Sequence, residues 1–433
     1  MIPRPSIQPG KGWAFPMPTV TTLDTGMAVW AYDLPGQYIW SVNLVMDLPL
    51  NAEPEGLDGL ATIVARTLDE GTTPHPGPLF ATELEEAGAQ FSALVGLSTT
   101  QCLLDVPQDS VDAALALLAE AVAAPAFAEE DVHRIQANRL SEIDQQESRG
   151  SYVASSTLRR TILADHLRVG RPAGGSAQGV AAVTAHDVAA FHRDRYRARD
   201  AVLVLAGDMS GVDAAQAAHQ AFGAWRPDAT RVEPALVSAG APRRRFVPRE
   251  GSVQTDVRMG WFGVDRRDPR WAGLQVALAI MGGTFTSRLN TVLREERGYT
   301  YGVSMNAHPF RVGGIIDLAT STRTQAASSL IEETLEILAV REPFTIDEVR
   351  DAIGYLTLSA PLALDTAEAV ASQGASLAAA RLDLGYVTTA LADLAAVTVD
   401  DAMEAYTDLI DPDRASVVAV ADDLDLSGLG FEV

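Results

Sequence analysis

The sequence predicts an α+β protein made of two homologous halves. Three observations carry this: an internal repeat, strands with period-2 alternation, and amphipathic helices grouped between them. Gly59-Leu60 returns as Gly273-Leu274, an offset of 214 residues. Thr184-Ala185-His186-Asp187 opens a helix that leads to the apolar strand from Ala201 to Asp208. Thr398-Val399-Asp400-Asp401 does the same for the strand from Ala415 to Asp422, again 214 residues on.

Each half reads in the same order. Alternating strands at residues 39–46 and 253–262 point to mostly antiparallel sheets with helices packed on one face. Next come amphipathic helices, with Val111, Leu115, Leu118 and Val122 on one face in the first half and Leu330, Thr334, Ile337 and Leu338 in the second. Each is followed by a proline (Pro125, Pro343) and a further helix, starting near Glu129 or near Thr345. Thr345-Ile346-Asp347-Glu348 spells a capping box. Residues 226–245, rich in Pro, Ala and Arg, form the natural linker between an N-terminal domain at 1–225 and a C-terminal domain at 246–433.

Composition bounds the function. With 433 residues the chain is long enough for two cores, and 47% of it is hydrophobic without any apolar run of membrane-spanning length. The N-terminus has no apolar signal segment, so a cytoplasmic location is expected. A net charge of −24 argues against nucleic-acid binding, because phosphates demand basic patches. The compact basic run Arg243-Arg244-Arg245 reads as solvated connector. Cys102 is the only cysteine, which excludes an internal disulfide and a cysteine metal cluster, and it reads as a small buried hydrophobe on a strand. His186 and His192, six residues apart on one helix, point away from each other and make no zinc pair.

The most informative stretch is Gly282 to Val303, G-G-T-F-T-S-R-L-N-T-V-L-R-E-E-R-G-Y-T-Y-G-V. Leu289, Val292 and Leu293 give a short helix one buried side, and Arg294 lies near its end. Gly298 supplies the left-handed residue that stops it. Tyr299 to Val303 then alternates like a strand. Such a turn can bring Arg294 and Tyr301 together, so that a guanidinium and a phenol face one bound group. The glycine pair at 282–283 is read as permitting close packing against the following helix.

This segment closely resembles the second-domain signature of the M16 (pitrilysin-like) peptidases, in which an Arg and a Tyr at this spacing hold substrate backbone carbonyls. The family's first domain carries H-x-x-E-H within G-L-A-H-x-x-E-H-x-x-x-x-G-T. Its two histidines bind zinc and its Glu activates water. Here the frame is G-L-A-T-I-V-A-R-T-L-D-E-G-T, from Gly59 to Thr72, and Thr62, Ala65 and Arg66 stand where the two imidazoles and the base belong. A guanidinium has no lone pair to give a metal. Glu142 falls near the family's third ligand position and reads as a solvated helix residue, since one carboxylate alone does not hold zinc.

The resemblance covers essentially the whole chain and implies two α+β domains forming half of a clamshell. The implied function is that of a zinc-free subunit. Arg294 and Tyr301 bind the peptide substrate, this chain has no catalytic residue or metal of its own, and zinc resides in an H-x-x-E-H-bearing M16 partner. The alternative is a catalytically silent M16 scaffold or peptide-binding protein.

Overall fold

A computed structural model describes residues 13–163, 167–226, 228, 230–235 and 237–432. The N-terminal half contains β1 (Thr19–Thr22), β2 (Ala28–Asp33), β3 (Ile39–Met46), β4 (Gln90–Val95), β5 (Thr100–Pro107) and β6 (Val202–Gly207). They form one sheet in the order β1-β2-β6-β3-β5-β4, antiparallel except for the β2–β6 pair. The C-terminal half contains β7 (Arg244–Pro248), β8 (Gln254–Gly263), β9 (Val303–Pro309), β10 (Gly314–Arg323) and β11 (Ser416–Ala421). Their order, β7-β11-β8-β10-β9, is the same arrangement without an equivalent of β1, and β7–β11 is its parallel pair. The repeat legible in the sequence is therefore a repeat of topology. Helix starts obey it too: Thr184 and Thr398 both close capping boxes, with Asp187 and Asp401, and Thr345 closes one with Glu348.

The helices of each half cover one face of its own sheet. In the N-terminal half the helices Leu60–Arg66, Val111–Ala123 and Ala185–Arg195 share a core with Val42, Leu44, Leu104 and Leu205. In the C-terminal half Trp271–Leu278, Ala327–Leu338 and Val399–Leu409 do the same around Met259, Leu318 and Val417.

The opposite face is covered by exchange. The helix Gly150–Ile162 leaves the N-terminal half and packs Ala154, Leu158 and Ile162 onto Ile315, Val418 and Val420 of the C-terminal sheet. The helix Ala367–Ala380 returns the contact, setting Ala367, Val370, Ala371 and Leu377 on Tyr32, Val204 and Ala206. This explains why β3, β6 and β11 are buried along nearly their whole length and are not half exposed. Gly374 makes the close approach possible, because a Cβ there would sit 2.8 Å from Val204 Cγ2's sister methyl, Cγ1. Asp47 adds an ionic tie across the halves, meeting Arg311 at 2.7 Å and Arg381 at 2.5 Å.

Arg244 and Arg245, expected in the connector, lie in β7 against Val417 and Val418. Cys102 is fully buried on β5, and burial pushes its thiol well above the usual range. No helix among the described residues is long and apolar enough to cross a membrane.

Candidate functional site

The zinc-motif frame lies on the helix Leu60–Arg66. Gly59 begins it at φ 103, where an added Cβ would strike Val180 and the Gly174 carbonyl, so only glycine lets the loop 173–175 seat against the helix. The carboxylate of Glu53 accepts from the amides of Gly59 and Ala61, at 3.2 and 2.9 Å, and pairs with Arg168. It thereby satisfies two otherwise orphaned donors at the helix start.

The motif positions have new partners. Thr62 is buried and donates its hydroxyl to the Ala173 carbonyl at 3.1 Å. Ala65 is packed in the core. Arg66 Nη1 donates to both oxygens of Glu142, at 2.7 and 2.8 Å. Glu142 also accepts from Arg139 Nη1 at 2.9 Å, and Arg139, itself buried, reaches the Gly174 carbonyl at 2.8 Å. Glu142 is partly solvated on its helix, as expected from sequence, but it is not free: Arg139, one turn away on the same helix, and Arg66, at the end of another, converge on it. Partial burial acts to raise its carboxyl, and the hydrogen bonds from Arg66 and Arg139 outweigh that and hold it below the usual range.

Zinc does not fit this constellation. Of the groups at the site only Glu142 can ligate a cation, and its oxygens already face guanidinium charge. Among the described residues no three His, Cys, Asp or Glu side chains converge to hold a metal ion.

The Arg294 segment is shaped by two π-helical stretches, Ala279–Gly283 and Asn290–Glu296, on either side of the loop 284–287 and a short α-helical lead-in at 288–289. Such wide turns recur at functional sites. Leu289 and Leu293 are buried as expected. The second helix ends where Gly298, at φ 63, gives its amide to the Arg294 carbonyl at 3.2 Å, while Tyr299 donates to Leu293.

Strand β9 begins only at Val303, later than the Tyr299–Val303 alternation predicts. The reason is Thr300: its buried hydroxyl accepts the Gly302 amide at 3.1 Å and meets Thr320 at 2.9 Å, folding the chain into a turn. Gly282 packs most tightly against β9, where its missing Cβ would lie 2.6 Å from Met305 Cβ, and it also meets the following helix, with Leu289 Cδ1 3.5 Å from the same point.

The turn drives Tyr301 outward. Its side chain is 95% exposed, and among the described residues its hydroxyl has no partner. Arg294 is in the opposite condition. Its Nε donates to Glu295 at 2.8 Å, its Nη2 to the Phe285 carbonyl at 3.0 Å, and its guanidinium carbon lies 3.5 Å from the Phe285 ring centroid. No hydrogen bond joins Arg294 to Tyr301, so the two stand on one connected segment as separate donors.

Asn290, unremarked in the sequence, organises this segment. It is buried, gives Nδ2 to the carbonyls of Thr284 and Val303 at 3.0 and 2.9 Å, and accepts the Val303 amide at 2.8 Å. The available signal was an amide side chain between two buried leucines on a short helix.

Two family models match the chain. Residues 36–171 match Insulinase (Peptidase family M16), and residues 182–353 match the Peptidase M16 inactive domain. The chain belongs to the M16 peptidase family. An uncharacterized zinc protease of Mycobacterium bovis is 26% identical over 347 residues, 78% of each chain. A Helicobacter pylori protein described as a non-peptidase homolog is 23% identical over 71% of this chain and 72% of its own. The M16 fold itself is matched by the crystal structure of a peptidase M16 inactive domain from Pseudomonas fluorescens. That structure superposes with a TM-score of 0.86 at 23% identity, over 94% of this chain and 98% of the other.

Proposed function

We propose that this chain is the zinc-free subunit of a two-subunit M16 peptidase. In this reading it closes one side of the chamber and fixes the substrate peptide by its backbone, while an H-x-x-E-H-bearing partner supplies the metal. The observation that carries the reading is a contrast between two sites. The metal positions have been rebuilt into internal contacts, Arg66 with Glu142 and Thr62 with Ala173. Tyr301, by contrast, projects an unpartnered hydroxyl into solvent from a turn braced by Thr300, Thr320 and Asn290. A residue with no core contact to preserve and three others positioning its turn is arranged for something outside the chain.

The chemistry follows from the donors. When bound in the partner, zinc activates the attacking water. This chain's part is to hold the extended peptide in register. Tyr301 donates its hydroxyl to one substrate carbonyl, and Arg294 donates from Nη1, since its Nε and Nη2 already serve Glu295 and Phe285. The charge-assisted bond from Arg294 contributes roughly 1.5–3 kcal/mol, and the neutral one from Tyr301 about 0.5–1.5 kcal/mol. Donors that tighten as negative charge develops on the carbonyl oxygen lower the barrier and not only the KM.

The second reading, a silent M16 scaffold or peptide-binding protein, draws support from the Helicobacter pylori relative described as a non-peptidase homolog. Co-expression with an M16 chain carrying H-x-x-E-H separates the two. The subunit reading expects co-elution and peptide hydrolysis by the complex alone. Full activity of the zinc chain by itself, or failure of the two to associate even under crosslinking, favours the scaffold.

A further inference from the structure

Phe285 occupies an unusual place for a large apolar side chain. It is 73% exposed, yet its ring lies flat enough on Arg294 to put the guanidinium carbon 3.5 Å from its centroid. The same residue's carbonyl accepts from Arg294 Nη2 at 3.0 Å. Phe285 therefore grips the guanidinium twice, with ring and backbone, and leaves the Arg294 side chain only 15% exposed.

The loop that presents Phe285 is itself pinned. Thr284 gives its hydroxyl to the Ala279 carbonyl at 3.2 Å, and its own carbonyl accepts from Asn290 Nδ2 at 3.0 Å. Ser287 donates its amide to Thr284 at 3.2 Å. Glu295 closes the Nε edge. One face and one edge of the guanidinium are thus committed, and the uncommitted donors at Nη1 have a fixed direction.

We propose that Phe285 is a positioning residue, which by stacking on Arg294 orients its free Nη1 donors toward the substrate backbone. This rests on the reading of Arg294 as a substrate contact. A freely rotating guanidinium loses rotamer freedom on binding a carbonyl, whereas a stacked one has lost it beforehand. A cation over an aromatic face is also held by the ring's quadrupole, which an aliphatic side chain cannot replace.

Two measurements test this, and they fail separately. In the isolated chain, the reaction of Arg294 with phenylglyoxal is followed by mass spectrometry. Phe285→Ala and Phe285→Leu should both raise the rate several-fold, and Phe285→Tyr should restore it. Equal rates in wild type and Phe285→Ala, or full protection by Leu, would overturn the stacking role whatever the chain's function.

In the complex with the zinc-bearing partner, turnover of an internally quenched nonapeptide is measured. Phe285→Ala should lower kcat/KM about 10-fold, with rescue by Tyr and not by Leu, and should add nothing to the loss already caused by Arg294→Ala. A wild-type rate in Phe285→Ala beside a damaged Arg294→Ala removes Phe285 alone. A wild-type rate in Arg294→Ala removes the substrate-contact reading, and with it the proposed purpose of the stack.

Discussion

Arg66 donates from one nitrogen to both carboxylate oxygens of Glu142, at 2.7 and 2.8 Å, so one guanidinium ties the end of the helix Leu60–Arg66 to the helix Glu129–Glu147. The helix pair is drawn together by a positive charge facing Glu142.

The two arginines around Glu142 should differ in weight. Arg66 and Glu142 are each more than a third exposed, so Arg66→Ala should cost about 0.5–1 kcal/mol. Arg139 is buried and also holds the Gly174 carbonyl, so Arg139→Ala should cost about 1–3 kcal/mol, chiefly by leaving that carbonyl without its donor. Urea denaturation of both variants checks the order. An equal loss would mean that Glu142, and not the 173–175 loop, sets the stability of this corner.

The purified chain should carry no stoichiometric zinc, and a chelator should leave its melting temperature unchanged. Thr62, Ala65 and Arg66 provide neither ligand nor base, and the Glu142 oxygens are engaged. Elemental analysis together with a thermal scan in chelator decides the matter. One zinc per chain with a chelator-sensitive melt would refute it.

Asp47 ties the two halves together, and its loss should be felt as a loss of their coupling. Asp47→Ala leaves Arg311, which is largely buried, without its ionic partner and should cost about 2–3 kcal/mol. Differential scanning calorimetry should then show a broader transition, with the halves beginning to melt separately. A sharp transition of unchanged midpoint would show that the exchanged helices Gly150–Ile162 and Ala367–Ala380 suffice.

Glu348 provides a pH signature. Hydrogen bonds from Arg288, and then from Thr345, hold its carboxyl down to about 2 from the usual 4.5. A depressed carboxyl stabilises the fold fully above the unfolded value and loses that contribution as pH falls through the folded one. Glu348→Gln, which keeps a capping acceptor but drops the charge, should therefore be less stable than wild type by about 0.5–1 kcal/mol above pH ~5. The gap should shrink between about pH 4.5 and 2. Melting temperatures across that range measure it, and a gap independent of pH would exclude the Arg288 pair as its source.

The sequence disclosed the repeat, the α+β character and the helix stop at Gly298 because each rests on local pattern: alternation, helical spacing and a left-handed glycine. It concealed what depends on distant chain. Nothing near Ala367–Ala380 says that this Ala-rich helix covers the sheet of the other half, and Ser41 and Asn43 make β3 alternate like a half-exposed strand although both are buried. The pairing of Glu142 stayed hidden because Arg66, 76 residues away, does not announce its partner. Tyr301 read as strand because the Thr300–Thr320 contact that bends the chain spans 20 residues and two hydroxyls.

The central claim is that this chain supplies substrate contacts to a metal held by another. It is tested most directly by mixing the zinc-bearing partner with saturating wild-type chain, or with the Arg294→Ala/Tyr301→Phe double variant, and measuring peptide turnover beside size-exclusion profiles. The variant complex should elute as wild type and turn over peptide at least on the order of 100-fold more slowly. Wild-type turnover by an intact variant complex would contradict it.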